Sequence, residues 1–287
     1  MKKILVTGAS GFIGNSLIKE LDKRKIDFIG TCKTNNFKNL ISVNLSKNTD
    51  WSKILKDCDV VIHLAGLAHN IFSEDQFNKI NEGSINLIKQ SINSNVKKFI
   101  FISSIAADKE STDFYGKSKA IIENELIRLS DKSDMNYVII RPPLVYGANA
   151  PGNFQTLKKL IINFPIIPFG SLNNIISIIG IRNLVQFIYF VATNKKSNNN
   201  IFLISDKKNI SVVDFIKKIA KSIDKKIYLI PVNKNILIFL LKLIGLKHKV
   251  EKIVYTKNFD SSETYNFLNW YPSYTTEEEL SLLKDSK

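Results

Sequence analysis

The sequence predicts an α/β protein, a doubly wound parallel sheet followed by a smaller C-terminal α/β lobe. Three observations lead there. Short β-branched runs alternate with longer stretches whose apolar residues recur every three or four positions, which is the pattern of strand–helix–strand units. A glycine-rich turn, Gly8 to Gly14, joins the first run to the first periodic stretch. The 287 residues also exceed what one such sheet needs and leave room for an appended lobe.

Taken in order, Ile4–Thr7, Phe28–Cys32, Val60–Ala65, Phe99–Ser103 and Val138–Arg141 read as strands. Between them Phe12–Lys23, Phe77–Ser94 and Phe114–Ser130 read as amphipathic helices, with spacings such as Leu87, Ile88 and Ile92, so both sheet faces are covered. After Arg141-Pro142-Pro143 the pattern changes. Gly147 to Gly152 form a loop ahead of a helix at Phe154–Asn163, and the boundary is placed there: 1–148 the first domain, 149–287 the second, with a return crossing allowed. Strands at Ile201–Ser205 and Ile227–Ile230 follow, with Ser211 capping a helix Val212–Ser222 between them. A final helix, about Thr276 to Leu283, opens with three glutamates at the end of the macrodipole that favours them.

Composition narrows the classes. The chain is 44% apolar and 23% charged, which suits a folded globular protein rather than a disordered one. Its net charge of +15 comes from lysines scattered through every segment, so no nucleic-acid partner is implied, although an anionic substrate gains from the field. Two cysteines, Cys32 and Cys58, lie at no metal-ligand spacing, and neither a disulfide framework nor a metal site is expected. The N-terminus enters a strand at once with no signal-peptide pattern, and with the sparse cysteines this points to a reducing cytoplasm. The longest apolar run, 236–246, contains Lys242 and is too short to span a bilayer; it reads as a buried or amphipathic helix.

The turn Thr7-Gly8-Ala9-Ser10-Gly11-Phe12-Ile13-Gly14 sits between strand and helix, where a dinucleotide fingerprint belongs, and implies a Rossmann-type fold. Gly8 permits the tight turn, Gly11 lets backbone approach a pyrophosphate, and Gly14 allows close helix packing; Ser10, Phe12 and Ile13 complete the cradle. Where an NAD-selective site ends its second strand in an acidic residue, this chain has Thr31-Cys32-Lys33. The Lys33 ammonium suits a 2′-phosphate, with Lys38 as an alternative, so NADP(H) is favoured and NAD(H) remains open.

Tyr115 and Lys119 stand four residues apart at the start of a helix, which puts both on one face. A free phenol ionises too high for a base at neutral pH, and a neighbouring cation lowers that value. Ser103 and Ser104 end the preceding strand at its C-terminal edge, where ligands sit in open α/β sheets. Ser104 is assigned to the substrate oxygen beside Tyr115, and Ser103 to the cofactor side.

On these residues the chain resembles the extended short-chain dehydrogenase/reductases, the NAD(P)-dependent nucleotide-sugar epimerase/dehydratase family, over nearly its whole length. Further anchors are His63-Leu64-Ala65-Gly66, Asn81, Arg141-Pro142-Pro143-Leu144-Val145-Tyr146-Gly147, Asp260-Ser261-Ser262 and Leu268-Asn269-Trp270-Tyr271-Pro272. The resemblance implies catalysis by Ser104, Tyr115 and Lys119, with Tyr115 and Lys119 also touching the cofactor. It further implies that Leu64, Ala65 and Gly66 pass along the cofactor, that Asn44 and Leu45 stand where an acidic residue usually faces adenine, and that Pro142 and Pro143 border the nicotinamide. Asn81 supports the site from its helix, while Asn153, and more weakly His69, face a nucleotide-sugar substrate. A homodimer through Phe114–Ser130 is the assembly such proteins often adopt.

The departures bear on the reaction. The family's phosphate-binding arginine corresponds to Ile176, and only ten residues separate Ser104 from Tyr115. The dehydratases' added acid and base are replaced by Ile105 and Ala106, which argues against elimination. Lys33 tilts the expectation toward NADPH-dependent reduction of a UDP-linked 4-keto N-acetylhexosulose in surface-polysaccharide synthesis. A nucleotide-sugar 4-epimerase is the alternative, and a non-catalytic cofactor-binding protein ranks third.

Overall fold

A computed structural model describes residues 3–34, 39–66, 73–110, 113–233, 236 and 258–284. The chain divides into two compact units, Met1–Pro142 with Val185–Leu203, and Pro143–Leu184 with Ile204–Lys287. The sequence boundary at 148 thus stands against a first division at Pro142 and a return of the chain over Val185–Leu203.

The first unit is built on a seven-stranded sheet. In chain order its strands are β1 (Ile4–Thr7), β2 (Phe28–Cys32), β3 (Ile41–Ser42), β4 (Val60–His63), β5 (Lys98–Ile102) and β6 (Asn136–Arg141), joined later by β11 (Asn200–Leu203). They lie in the order β11-β6-β5-β4-β1-β2-β3, and every pairing is parallel. Strand alternation sends Leu5, Val61, Phe99, Phe101 and Ile139 into one cluster with Leu87 and Ile88 of α3 (Glu74–Asn93) and Ile122 and Leu126 of α4 (Phe114–Ser130). Every residue of β1, β4 and β5 is buried, as a sheet covered on both faces requires. Helix α1 (Phe12–Lys23) buries Leu17 and Leu21, and the short α2 (Ser52–Leu55) buries Leu55.

Boundaries follow local chemistry. Helix α3 begins three residues ahead of Phe77, because the Ser73 side chain accepts from Gln76 N and Glu74 and Asp75 fill the first turn. Strand β4 stops at His63 rather than Ala65, since Leu64 and Ala65 already belong to the turn.

The second unit holds pairs of short strands and several helices. The strands are β7 (Leu144–Tyr146) with β10 (Ile178–Gly180), β8 (Ile166–Ile167) with β13 (Tyr228–Leu229), and β9 (Ile175–Ile176) with β12 (Ile210–Ser211). Its helices are α5 (Asn153–Asn163), α7 (Val212–Ser222), α8 (Ser262–Leu268) and α9 (Thr276–Ser281), and α6 (Ile181–Thr193) runs between the units in sequence. Ser211 caps α7 as its sequence predicts, and Thr275 with Glu278 forms a capping box at α9.

Among the described residues no helix is long and apolar enough to cross a membrane, and no cluster of three metal-ligating side chains occurs. His69, Lys38 and, apart from residue 236, the apolar run 236–246 lie outside the described residues.

Candidate active site

The glycine cradle lies between β1 and α1. Gly8 has φ +71°, and a Cβ there would stand 2.7 Å from Ala65 N. A Cβ at Gly14 would meet Ala9 Cα at 2.7 Å, so α1 packs this closely only with glycine. Gly11 is the N-cap of α1 and offers no side-chain cap, which leaves the first-turn N–H groups and the positive end of the dipole for an anion. Ser10 and Gly11 are exposed, and Phe12 and Ile13 are half-buried. These features fit a dinucleotide's pyrophosphate.

The turn after β4 is held from behind by a hydrogen-bonded chain that sequence spacing does not reveal. Ser84 Oγ donates to Ile80 O at 2.8 Å, so it accepts from His63 Nε2 at 3.0 Å. His63 Nδ1 is then the acceptor for the Thr7 hydroxyl at 2.7 Å, and Thr7 Oγ1 accepts from Ala65 N at 3.3 Å. His63 is fully buried and stacks on Phe101 at 5.7 Å. Burial first, then the Lys119 charge, pushes its pKa down to about 3, so the imidazole stays neutral at physiological pH.

At the far end of β5, Ser104 and Tyr115 are brought together by a side-chain hydrogen bond. Ser104 Oγ also accepts from Ala106 N at 3.1 Å, which fixes the hydroxyl. Asp113 caps α4 by accepting from Tyr115 N at 3.2 Å. Burial raises the Tyr115 phenol above its ordinary value, Ser104 pulls it down, and the Asp113 charge raises it again. Lys119 is buried, donates to Ile102 O at 2.7 Å and lies 5.9 Å from the Tyr115 ring. The downward pull on the phenol that the geometry shows comes from the Ser104 hydrogen bond. Burial lowers Lys119 itself to about 8, with Glu123 acting against it.

The surroundings fix α4. Ser118 Oγ donates to Asn81 Oδ1 at 2.5 Å, joining α4 to α3 through a buried mid-helix asparagine. Arg141 pairs with the buried Glu123 through Nε at 2.9 Å and through Nη2, tying α4 to β6. A Cβ on Gly66 would stand 3.4 Å from Lys119 Nζ, so the turn after β4 reaches the lysine. Ser103 Oγ is buried with no hydrogen-bond partner among the described residues, which leaves it free for a bound group, and Pro142 O accepts from Ile105 N at 3.2 Å beside it.

The remaining predicted residues are spread out. Lys33 is exposed just past β2, where the Cys32 thiol donates to Thr34 O at 3.0 Å. Asn44 is exposed and its carbonyl accepts from Thr49, while the Leu45 backbone lies over Gly83 of α3. Leu64 and Ala65 are half-buried and Gly66 is exposed. In the second unit Pro143 is buried, Asn153 opens α5, and Ile176 is fully buried and so presents nothing to a phosphate.

The fold and this constellation define an extended short-chain dehydrogenase/reductase. Residues 4–205 match the model of the NAD dependent epimerase/dehydratase family, and the chain belongs to that family. It is a nicotinamide-dependent enzyme of the oxidoreductase/epimerase kind. A UDP-glucose 4-epimerase of Vibrio cholerae is 34% identical over 305 aligned positions, covering 96% of this chain and 93% of that protein. An N-acetyl-α-D-glucosaminyl-diphospho-ditrans,octacis-undecaprenol 4-epimerase of Escherichia coli O157:H7 is 26% identical, covering 78% of this chain and 73% of the relative. In fold the chain is similar to a UDP-glucuronic acid 4-epimerase from Bacillus cereus crystallised with NAD, with a TM-score of 0.74 at 23% identity, covering 99% of this chain and 96% of that one.

Proposed function

We propose that this enzyme inverts C4 of a sugar carried on a diphosphate, retaining its NAD(H) through each turnover. The observation that carries the reading is the Ser104–Tyr115 hydrogen bond beside the buried Lys119, a proton-transfer pair at the C-terminal edge of the sheet. Ile105 and Ala106 supply none of the carboxylates that elimination requires. The two relatives above are both named 4-epimerases, one for a UDP-sugar and one for a lipid-diphosphate sugar, which supports C4 chemistry and leaves the carrier open.

A bound nicotinamide supplies a hydride acceptor and donor. The chain's own residues do the rest. Ser104 orients the sugar's 4-oxygen, and Tyr115 takes its proton and returns it after the ring has turned. Lys119, charged below about pH 8, holds the cofactor ribose. Gly8, Gly11 and Gly14 admit the pyrophosphate, Ser103 and Pro142 line the nicotinamide side, and Asn153 meets the diphosphate. A homodimer through α4 is part of the same reading.

One observation favours a second reading, the NADPH-dependent 4-keto reduction expected from the sequence: β2 ends in an engaged Cys32 and an exposed Lys33 instead of an acid. Incubation with UDP-glucose and UDP-N-acetylglucosamine, no cofactor added, separates the two. Interconversion of the 4-epimers by purified protein, reduced at least 100-fold in Tyr115→Phe and declining above about pH 8 as Lys119 loses its proton, supports epimerisation. No interconversion, with stoichiometric NADPH loss on a UDP-linked 4-keto sugar, establishes the reductase.

A further inference from the structure

In the second unit β8 and β13 form a parallel two-stranded ribbon, with Ile166 beside Tyr228 and Ile167 beside Leu229. Alternation turns Ile167 inward, where it is fully buried, and leaves Ile166 and Tyr228 56% and 69% exposed. The same period carries on to Phe164, 56% exposed, and Ile230, 45% exposed. Four large apolar side chains thus share the outer face of one ribbon. Single exposed apolar residues are ordinary, whereas a contiguous set marks a contact surface.

Beside Tyr228 lies a concavity of about 430 Å³ walled by Lys217, Lys221, Lys225 and Lys226. All four lysines are exposed. The carboxylates nearby are engaged with other cations, Glu277 with Lys218 and Asp224 with Lys284. The fold therefore sets an apolar face next to a local excess of positive charge.

That combination selects its occupant. Protein interfaces are depleted in lysine and enriched in arginine, and this rim holds lysine alone. A second copy docked face to face would bring two such lysine clusters together, an unfavourable contact. An anionic bilayer meets both halves, since its acyl boundary takes the apolar side chains and its headgroups take flexible ammonium groups. We propose that the Phe164–Ile166–Tyr228–Ile230 face and its lysine rim dock this enzyme reversibly on an anionic membrane surface. The proposal does not depend on which C4 reaction the site performs.

The test is co-sedimentation of the full chain with vesicles of phosphatidylcholine alone or with phosphatidylglycerol at one third of the lipid, no sugar substrate present. The expected result is at least tenfold stronger partitioning onto the anionic vesicles, falling with added salt. Lys225→Ala and Lys226→Ala should each lower it about fivefold. Phe164→Glu with Tyr228→Glu should remove it while the melting temperature and the turnover of soluble substrate stay unchanged. No partitioning above background, or partitioning that survives both sets of variants, overturns the proposal. So does a Phe164→Glu/Tyr228→Glu protein that sediments as a smaller species than the parent, because the face then belongs to a second copy.

Discussion

Two buried polar clusters, one from each unit, are built on opposite terms. In the first, Thr7, His63 and Ser84 form a neutral chain in which each hydrogen has an acceptor, ending on Ala65 N at one side and Ile80 O at the other. In the second, Asp206 collects Tyr146 Oη at 2.6 Å, Asn183 Nδ2 at 2.8 Å and Gly180 N at 3.1 Å. Near it, the buried Glu279 accepts from Arg182 Nε at 2.9 Å through Oε2, while its Oε1 has no hydrogen-bond partner among the described residues. A neutral chain can be buried beside a cofactor turn without taking on charge, whereas the second cluster holds carboxylates whose pKa burial drives upward. The first positions a backbone turn, and the second anchors β7, β10 and α6 to one side chain, Asp206.

The largest effect should come from the charged cluster. Asp206→Ala leaves the Tyr146 hydroxyl, the Asn183 amide and the Gly180 N–H without their acceptor in a buried site. The loss should exceed about 3 kcal/mol in urea unfolding, the range for breaking a buried charged network. Asp206→Asn keeps the shape and one acceptor oxygen and should cost about half as much. Equal losses for the two would mean that the charge, not the number of hydrogen bonds, holds the cluster.

The neutral chain should yield less in total and more in pH dependence. His63→Gln should cost about 2 kcal/mol through lost packing on Phe101 and an interrupted chain. The wild type carries a further signature. His63 is held at about 3 when folded and near ~6.5 when unfolded. As pH falls below about 6.5 the unfolded chain binds a proton that the folded chain refuses, so stability falls with a slope of up to about 1.4 kcal/mol per pH unit and is complete above that value. In His63→Gln that acid limb should flatten; an unchanged limb would place the titration elsewhere.

Much of the first unit is legible because its strands and helices are long enough to show a period. Phe12–Lys23, Phe28–Cys32 and Phe114–Ser130 match the structure residue for residue. Strands of two residues, such as β3, β8, β9 and β12, carry no period and become strands only through their partners. Helix α6 escapes for another reason, since Ile181–Thr193 is mostly apolar and its polar side is reduced to Arg182, Gln186 and Thr193, too few to stand out from a buried run. In the site, the glycines and the Ser104, Tyr115 and Lys119 set stand out because their chemistry dictates their spacing. The supporting chain does not: His63 lies 56 residues from Thr7 and 21 from Ser84, distances only the sheet brings together. The lysine rim is similar, four residues in a chain rich in lysine everywhere, set apart only by the ribbon beside it.

The smallest change in stability should read out the neutral chain's part in binding. Thr7 Oγ1 is the one atom through which that chain meets the cofactor turn, donating to His63 and accepting from Ala65 N. Thr7→Val is nearly isosteric and removes the hydroxyl, leaving His63 Nδ1 and the Ala65 N–H unpaired; the expected cost is about 1 kcal/mol in stability. Thr7→Ser keeps the hydroxyl and loses only a methyl group. If the chain positions the turn, Thr7→Val should retain several-fold less nicotinamide cofactor after gel filtration and Thr7→Ser should restore it, with the turnover of cofactor-saturated enzyme little changed in both. Should Thr7→Val hold the cofactor and Thr7→Ser lose it, packing of the methyl group rather than the hydrogen-bonded chain holds Ala65 in place, and the contrast between the two clusters would be one of stability alone.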